Sequence, residues 1–225
     1  MELKINKSVY DLVPSLRVGT LVLSGIDNTA DVSAFFDAEL ATLTTSLSAK
    51  YDLEELSDQP LIKQWRAIYK SFGEKKARSS IEALIRRIVG GKGLYRINAL
   101  VDLYNLASLR FELPAGGEDI DTMPDVLELT TATGTEVFKP LGAAEPENPN
   151  PGEIIYKTGD IVVCRNFNYR ESDITKLTPS TTNAIIVFED PTGCEETLNA
   201  AMDWVAERAT TLLGANIDKR TVYSI

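Results

Sequence analysis

Apolar positions along residues 31–47 fall at Val32, Phe35, Phe36, Leu40, Leu43 and Leu47, close to the 3.6-residue period of an amphipathic helix. A second helix is expected to start at Asp58, Gln59 and Pro60 and to end near Gly73, because Asp caps and Pro suits a first turn. The clearest start is Ser79 with Glu82, at capping-box spacing ahead of Ile81, Leu84, Ile85 and Ile88, with Gly90 and Gly91 as the stop. Residues 96–111 read as another helix, with Ile97, Leu100, Val101, Tyr104 and Ser108 on one stripe and Asn98, Asp102 and Asn105 on a second, polar one. Residues 194–213 read as the last. Strands are expected at 3–5, 18–23, 126–131, 136–139, 153–156, 161–165 and 184–188, where β-branched residues gather between turn signals. Pro114, Gly116 and Gly117 predict a loop over 113–119, and 142–152 reads as a loop that is either mobile or an exposed turn. The pattern predicts an α/β fold of the α+β type, mixed β-sheets flanked by helices. It is expected to be one domain over 1–225, with a strand and helix part at 1–60, a core region at 61–190 and a C-terminal helix at 194–213.

Composition supports a buried core, since 44% of the 225 residues are hydrophobic. The two cysteines, Cys164 and Cys194, stand far apart and there is no histidine. That excludes a Cys/His zinc site, a Ser-His-Asp triad, a Cys-His pair and an HExxH helix. No phosphate-binding Gly-x-x-x-x-Gly-Lys-Ser/Thr loop is present either; the run from Gly90 to Gly93 lacks that spacing. No metal and no cofactor are expected. The N-terminus alternates apolar with polar residues and no window nears eighteen apolar residues, so a cytoplasmic protein without membrane contact is expected.

The net charge of −10 argues against a general nucleic-acid coat and against DNA as a partner. The charge is segregated. Between Lys63 and Arg96 lie ten basic residues and two acids, a window of +8 that leaves −18 elsewhere. Arg66, Lys75, Lys76, Arg78, Arg86 and Arg87 in this window are candidates to meet a localised polyanion, or else make up a solvated helical face.

Ile97, Asn98, Val101, Asp102 and Asn105 form an IN-x-x-VD-x-x-N run, followed by Pro114, Gly116, Gly117, Glu118 and Asp119. Further along come Glu136, Phe138, Leu141 and Gly142 in Glu-x-Phe-x-x-Leu-x-Gly order. Trp65-Arg66, the run from Ser80 to Arg87, Pro151-Gly152-Glu153 and the run from Cys164 to Asn168 complete the set. In this order the motifs resemble the B3/B4 domain, the editing domain of phenylalanyl-tRNA synthetase β subunits, and more closely its free-standing members. The resemblance spans about residues 65–189. It implies a trans-editing deacylase that hydrolyses the ester of a mischarged tRNA, with tRNA as partner and no obligate protein partner. The sequence departs from the pattern at Gly116, where the family loop carries histidine.

An activated aminoacyl ester can be hydrolysed by a positioned water and a stabilised oxyanion, without a covalent nucleophile. Asn105 is expected to orient the water or the ester, with Gly116 and Gly117 offering backbone N–H groups. Asp102, Tyr104, Asp119, Glu136, Glu153 and Glu189 are expected around the amino acid, and Glu189 resembles the acidic residue that contacts its side chain. Arg165 and Asn168, with Arg170 beside them, can take the terminal adenosine or phosphate; Phe167 and Tyr169 are core or stacking residues, with core favoured. The same residues also fit plainer roles: a helix-to-loop bond for Asn105, a turn for the glycines, ion pairs for the glutamates. Two other readings stay open, a tRNA-binding module without catalysis and an amino-acid or small-molecule-binding domain.

Overall fold

The computed structural model describes residues 1–124 and 126–225. Its centre is β2 (Arg17–Ser24), whose six inner residues are all buried, the burial of a strand covered on both faces. β2 pairs antiparallel with β8 (Ala184–Asp190), which is buried along its whole length, and with β9 (Asn216–Tyr223). β3 (Ala115–Asp119) adds to the far side of β8, giving a four-stranded sheet in the order β3-β8-β2-β9. A second sheet runs β1-β4-β5-β6-β7, from β1 (Leu3–Ile5), β4 (Leu127–Thr131), β5 (Ile154–Thr158), β6 (Ile161–Arg165) and β7 (Arg170–Glu171). Only the β1-β4 pair in it is parallel, so both sheets fit an α+β architecture.

Among the described residues six α-helices accompany the sheets: α1 (Lys7–Leu12), α2 (Ser33–Lys50), α3 (Pro60–Ser71), α4 (Ser80–Val89), α5 (Ala99–Phe111) and α6 (Glu195–Leu213). One core joins β2 and β8 to α6 through Leu198, Met202 and Val205, and to α3 to α5 through Trp65, Ile85 and Leu103. Among the described residues no helix is long and apolar enough to cross a membrane.

Helix limits follow the side chains that close them. Ser79 Oγ accepts the Glu82 N–H at 3.3 Å, as the capping-box spacing predicts, and Gly90 ends α4. The start expected at Asp58 falls instead at Pro60, because Asp58 closes a 3-10 turn (Leu56–Asp58) and Gln59 is the cap. α5 starts at Ala99 and not at residue 96. Asn98 caps it by accepting the Val101 N–H at 3.1 Å, and Asp102 holds Ile97 N–H at 3.0 Å in front of the cap.

Two expectations are corrected. Residues 115–119 form a strand, not a loop, and the glycines serve close packing there. A Cβ on Gly117 would sit 2.7 Å from Ile186 Cδ1 and 3.0 Å from Tyr104 Cε1 and Leu177 Cδ1. Residues 136–139 make only isolated bridges, Val137 to Ile161 and Phe138 to Glu147. The segment 142–152 is anchored, since Glu147 pairs with Arg170 at 2.6 Å and also with Arg165. The polar run of β9 is a strand because β2 offers it an open edge, a partner that no local alternation announces.

Candidate active site

A cavity of about 240 Å³ lies where α5, β3 and β8 of one sheet meet β5 to β7 of the other. The IN-x-x-VD-x-x-N helix forms one wall, and its three polar residues have separate duties. Asn98 caps α5 and donates to Leu177 O at 3.2 Å. Asp102 is buried, pairing with Arg96 at 2.5 Å and taking the Ile97 N–H. Only Asn105 is left over: half-buried on the cavity wall, its amide has no hydrogen bond to any described residue. Tyr104 and Gly116 line the cavity beside it, and Ile97, Leu141 and Tyr169 form an exposed apolar rim. Phe167 is core, with no exposed surface, while its neighbour Tyr169 is 47% exposed.

The interior is acidic. Glu118, Glu171 and Glu189 all line it, and no lysine or arginine does. Glu118 Oε2, Glu171 Oε1, the Tyr156 hydroxyl and Ser80 Oγ are buried around it, half of the eight side-chain atoms among the described residues that are buried and have no hydrogen bond while the carboxyls are ionised. Buried polar atoms in native proteins are nearly always satisfied, so their concentration around one cavity marks it as the candidate site.

Burial pushes the Glu118 carboxyl well up, and the neighbouring Glu171 adds to the rise by its charge and by sharing a proton. Glu171 is raised by burial too. Two facing carboxyls without a cation settle by holding one proton between them. Glu189 rises to about 7, chiefly from burial and with a contribution from Glu171, against hydrogen bonding from Tyr156 and Asn168. Asn168 donates to Glu189 Oε2 at 2.6 Å; its own oxygen accepts from the Tyr69 hydroxyl at 2.7 Å and from Ser80 N–H at 3.2 Å. The Tyr156 hydroxyl lies beside Glu189 without a well-formed bond to it. Cys164 also lines the cavity, but burial above all keeps its thiol protonated.

Asn168 reaches this position through a strained turn. Asn166 and Phe167 both have positive φ, 51° and 63°, which non-glycine residues adopt only when held there. The buried Glu153 holds them: it accepts the Asn166 N–H at 2.9 Å and takes Arg165 through both oxygens at 2.8 and 2.6 Å.

Of the residues expected to meet the amino acid, the ester or the adenosine, the cavity therefore gathers Asn105, Tyr104, Gly116, Asn168 and Glu189. It does not gather Asp102, Gly117, Asp119, Glu136, Glu153 or Arg165. Asp119 bonds the Thr181 hydroxyl at 2.6 Å and the Asp121 N–H at 3.0 Å. Glu136 closes a turn through the N–H groups of Thr133 and Gly134, both at 3.0 Å. The strand ladder accounts for Gly116: bonds from Glu189 N–H to Pro114 O and from Ile120 N–H to Asn183 O fix the alternation. That puts Gly116 in a hydrogen-bonded pair with Val187, its N–H turned to β8 and away from any oxyanion. Glu118, Glu171, Tyr156 and Ser80 were not expected here. Reading residues 115–119 as a strand would have found Glu118, which shares a face with Gly116; nothing local marks Glu171.

The basic window is less uniform than its composition. Arg66 binds the buried Glu82 through both oxygens at 3.1 and 2.7 Å, Arg86 binds it at 2.9 Å, and Arg78 stands 3.8 Å away. Burial would raise the Glu82 carboxyl, but these guanidinium groups hold it below its usual value. Arg87 bonds Gly93 O at 3.1 Å and stacks 4.1 Å from the Tyr95 ring centre. So Arg66, Arg86 and Arg87, expected to meet an anion, are already engaged. Lys70, Lys75 and Lys76 are exposed and unpaired among the described residues, around a surface depression that Arg66 and Arg78 also line.

Three comparisons bear on this geometry. A family model described as the B3/4 domain matches residues 64–206. No curated protein matches. Among solved structures, an N-terminal fragment of the phenylalanyl-tRNA synthetase beta-subunit from Pyrococcus horikoshii aligns with a TM-score of 0.50 and 12% identity, over 99% of this chain and 54% of that one. At that identity the likeness is one of fold, and this chain spans about half of the fragment's length. The match to the family model takes in α4, α5, both glycines of β3 and every carboxyl of the cavity: the chain belongs to the B3/4 domain family.

Proposed function

We propose that the protein hydrolyses the ester bond between an amino acid and the 3′ end of a mischarged tRNA, acting in trans. The reading is carried by the Asn105 amide, unpartnered at the mouth of a cavity whose interior is lined with carboxyls. The fold it shares with a fragment of phenylalanyl-tRNA synthetase supports the same substrate class.

In this reading the amino acid enters the cavity and the terminal adenosine rests on the rim, where Tyr169 offers an exposed ring for stacking. Asn105 hydrogen-bonds the attacking water. Glu189, titrating at about 7, accepts a proton from that water as its oxygen adds to the carbonyl carbon. The bond to the ribose oxygen then breaks, the ribose oxygen takes up the proton, and free amino acid and tRNA leave. Lys70, Lys75 and Lys76 hold the phosphates of the acceptor arm.

Incubation with a panel of misacylated tRNAs tests this directly. At least one pair is expected to be deacylated far above the spontaneous rate, with Asn105→Ala lowering kcat by about 100-fold and changing KM about twofold or less. A second reading, tRNA binding without hydrolysis, is favoured by the Gly116 N–H being engaged with β8. Salt-sensitive tRNA binding with no amino acid released from any pair would decide for it.

A further inference from the structure

The unpartnered atoms of the cavity say what chemistry would satisfy them. Glu118 Oε2 and Glu171 Oε1 are acceptors, and the Tyr156 hydroxyl and Ser80 Oγ can accept as well. With a neutral apolar side chain in the cavity the two carboxyls could only share a proton with each other and the hydroxyls would gain no partner, and a single hydroxyl would donate to only one of the four. An ammonium brings three donors and a guanidinium five, each with the positive charge that two adjacent carboxylates lack.

The protein's own cations cannot supply that charge, because the basic side chains on neighbouring elements are held elsewhere. Arg165 is bound to Glu153, Arg170 to Glu147 at 2.6 Å, and Lys176, opposite Glu118 in the backbone pairing, to Asp173 at 2.6 Å. Arg96, at the start of α5, is held by Asp102. Buried carboxylates are ordinarily paired or bound to a cation. Among the described residues no arginine or lysine lines the cavity to pair with them.

We infer that the cavity is a cation pocket: the occupant is an amino acid whose side chain ends in an amine or a guanidine, gripped between Glu118 and Glu171. Binding ionises the pair, so the proton the two carboxyls share leaves as the ligand cation arrives. The inference deepens the deacylase reading by naming the class of amino acid, and it rests on that reading only for the ester. The pocket itself would take the free ligand in a non-catalytic protein too.

The test is isothermal titration calorimetry of the full chain with L-argininamide, L-lysinamide, L-norleucinamide and L-tyrosinamide. All four carry the α-ammonium, and only the first two add a side-chain cation. Argininamide, lysinamide or both are expected to bind at least about tenfold tighter than norleucinamide and tyrosinamide. Repeating the tighter titration in buffers of different ionisation enthalpy is expected to show proton release. Glu118→Gln and Glu171→Gln are each expected to cut the affinity for the dication about tenfold or more and to abolish that release, while leaving norleucinamide unchanged.

Norleucinamide or tyrosinamide binding as tightly as the dications would overturn the proposal, and so would no measurable binding of any amide. Failure of the deacylase reading looks different: dications bind, yet no aminoacyl-tRNA is hydrolysed. Hydrolysis confined to esters of neutral amino acids, with no dication binding, sinks the pocket and spares the enzyme.

Discussion

Two groups of buried carboxylates in this molecule sit in opposite electrostatic company. Glu82 and Glu153 are buried and each is gripped by arginine, Glu82 by Arg66 and Arg86 and Glu153 by Arg165. Glu118 and Glu189 are buried, Glu171 is half-buried with its Oε1 shut off from solvent, and no arginine or lysine lines the cavity the three share. The first group shapes the protein: Glu82 ties α3 to α4, and Glu153 fixes the turn that delivers Asn168. In the second only Glu189 holds another side chain, accepting from Asn168 at 2.6 Å. Charge kept underground without a partner is maintained at a loss of stability, and such losses gather where a ligand is to be met.

The sharpest way to break the comparison is to turn a paired carboxylate into an unpaired one. Arg165→Met strands Glu153 in a site that is 1% exposed, and removing one partner of a buried pair costs about 3–5 kcal/mol. Chemical denaturation should record that loss. A shift under about 1 kcal/mol would mean that the pair is far weaker than its geometry. The turn with Asn166 and Phe167 at positive φ should relax as well, so weakened ligand binding is expected in the same variant.

pH separates the two groups by sign. The Glu189 carboxyl at about 7 lies above its ordinary value of 4.5, so the folded state binds that proton more tightly than the unfolded chain. Its contribution is fully present below about pH 4.5 and is lost as pH rises through about 7, on the order of 3 kcal/mol in all. Glu118 and Glu171, also raised, act in the same direction. Glu82 is lowered and acts in reverse, its contribution present above about pH 4.5 and lost on acidification. Thermal melts of Glu189→Gln are expected to fall less between pH 5 and pH 8 than those of the wild type. Parallel curves would remove Glu189 from the unpaired group.

A smaller effect is expected at the glycine pair of β3, which borders the cavity. Gly117→Ala forces a Cβ against Ile186, Leu177 and Tyr104 and should cost about 1–3 kcal/mol. A Cβ on Gly116 meets nothing within 4 Å, and Gly116→Ala should leave the melting temperature nearly unchanged. Equal losses at the two positions would show that strand propensity, and not packing, decides.

The sequence was most legible where a local rule governs and least where two distant segments meet. The Ser79–Glu82 spacing located α4 to the residue, and 161–165 was read as the strand it is, because each signal lies within one element. The IN-x-x-VD-x-x-N run pointed to a helix that walls the cavity and to Asn105 on that wall. Its periodicity alone could not tell that Asn98 and Asp102 serve the helix start, since both depend on how residues 96–98 approach α5. Glu136 and Glu153 were placed near the ligand because they flank strands, yet strand-end carboxylates also close turns and bind arginines, and a partner such as Arg165 is visible only after folding. Of the cavity's three acids, Glu189 was named from the sequence and the other two stayed hidden for the same reason. Glu118 and Glu171 are 53 positions apart in the numbering and meet only because β3 and β7 sit at facing edges of different sheets.

The smallest expected effect distinguishes arginines that hold the fold from lysines that hold nothing. Arg86 is bound to Glu82 and is 23% exposed in its side chain, so Arg86→Ala should lower stability by about 1–2 kcal/mol and leave tRNA affinity within about twofold. Among the described residues Lys75 and Lys76 have no partner to lose. Lys75→Ala and Lys76→Ala should leave the melting temperature unchanged, weaken tRNA binding by about two- to fivefold each, and lower the slope of log K against log salt by about 1 per residue. Competition binding across a salt series separates the two outcomes. If Arg86→Ala moves the salt slope and the lysines do not, the anion is read by α4 and not by the loop before it. The charge held by Glu82 would then be part of the docking surface, and the boundary between paired, structural charge and unpaired, functional charge would fail on this face of the protein.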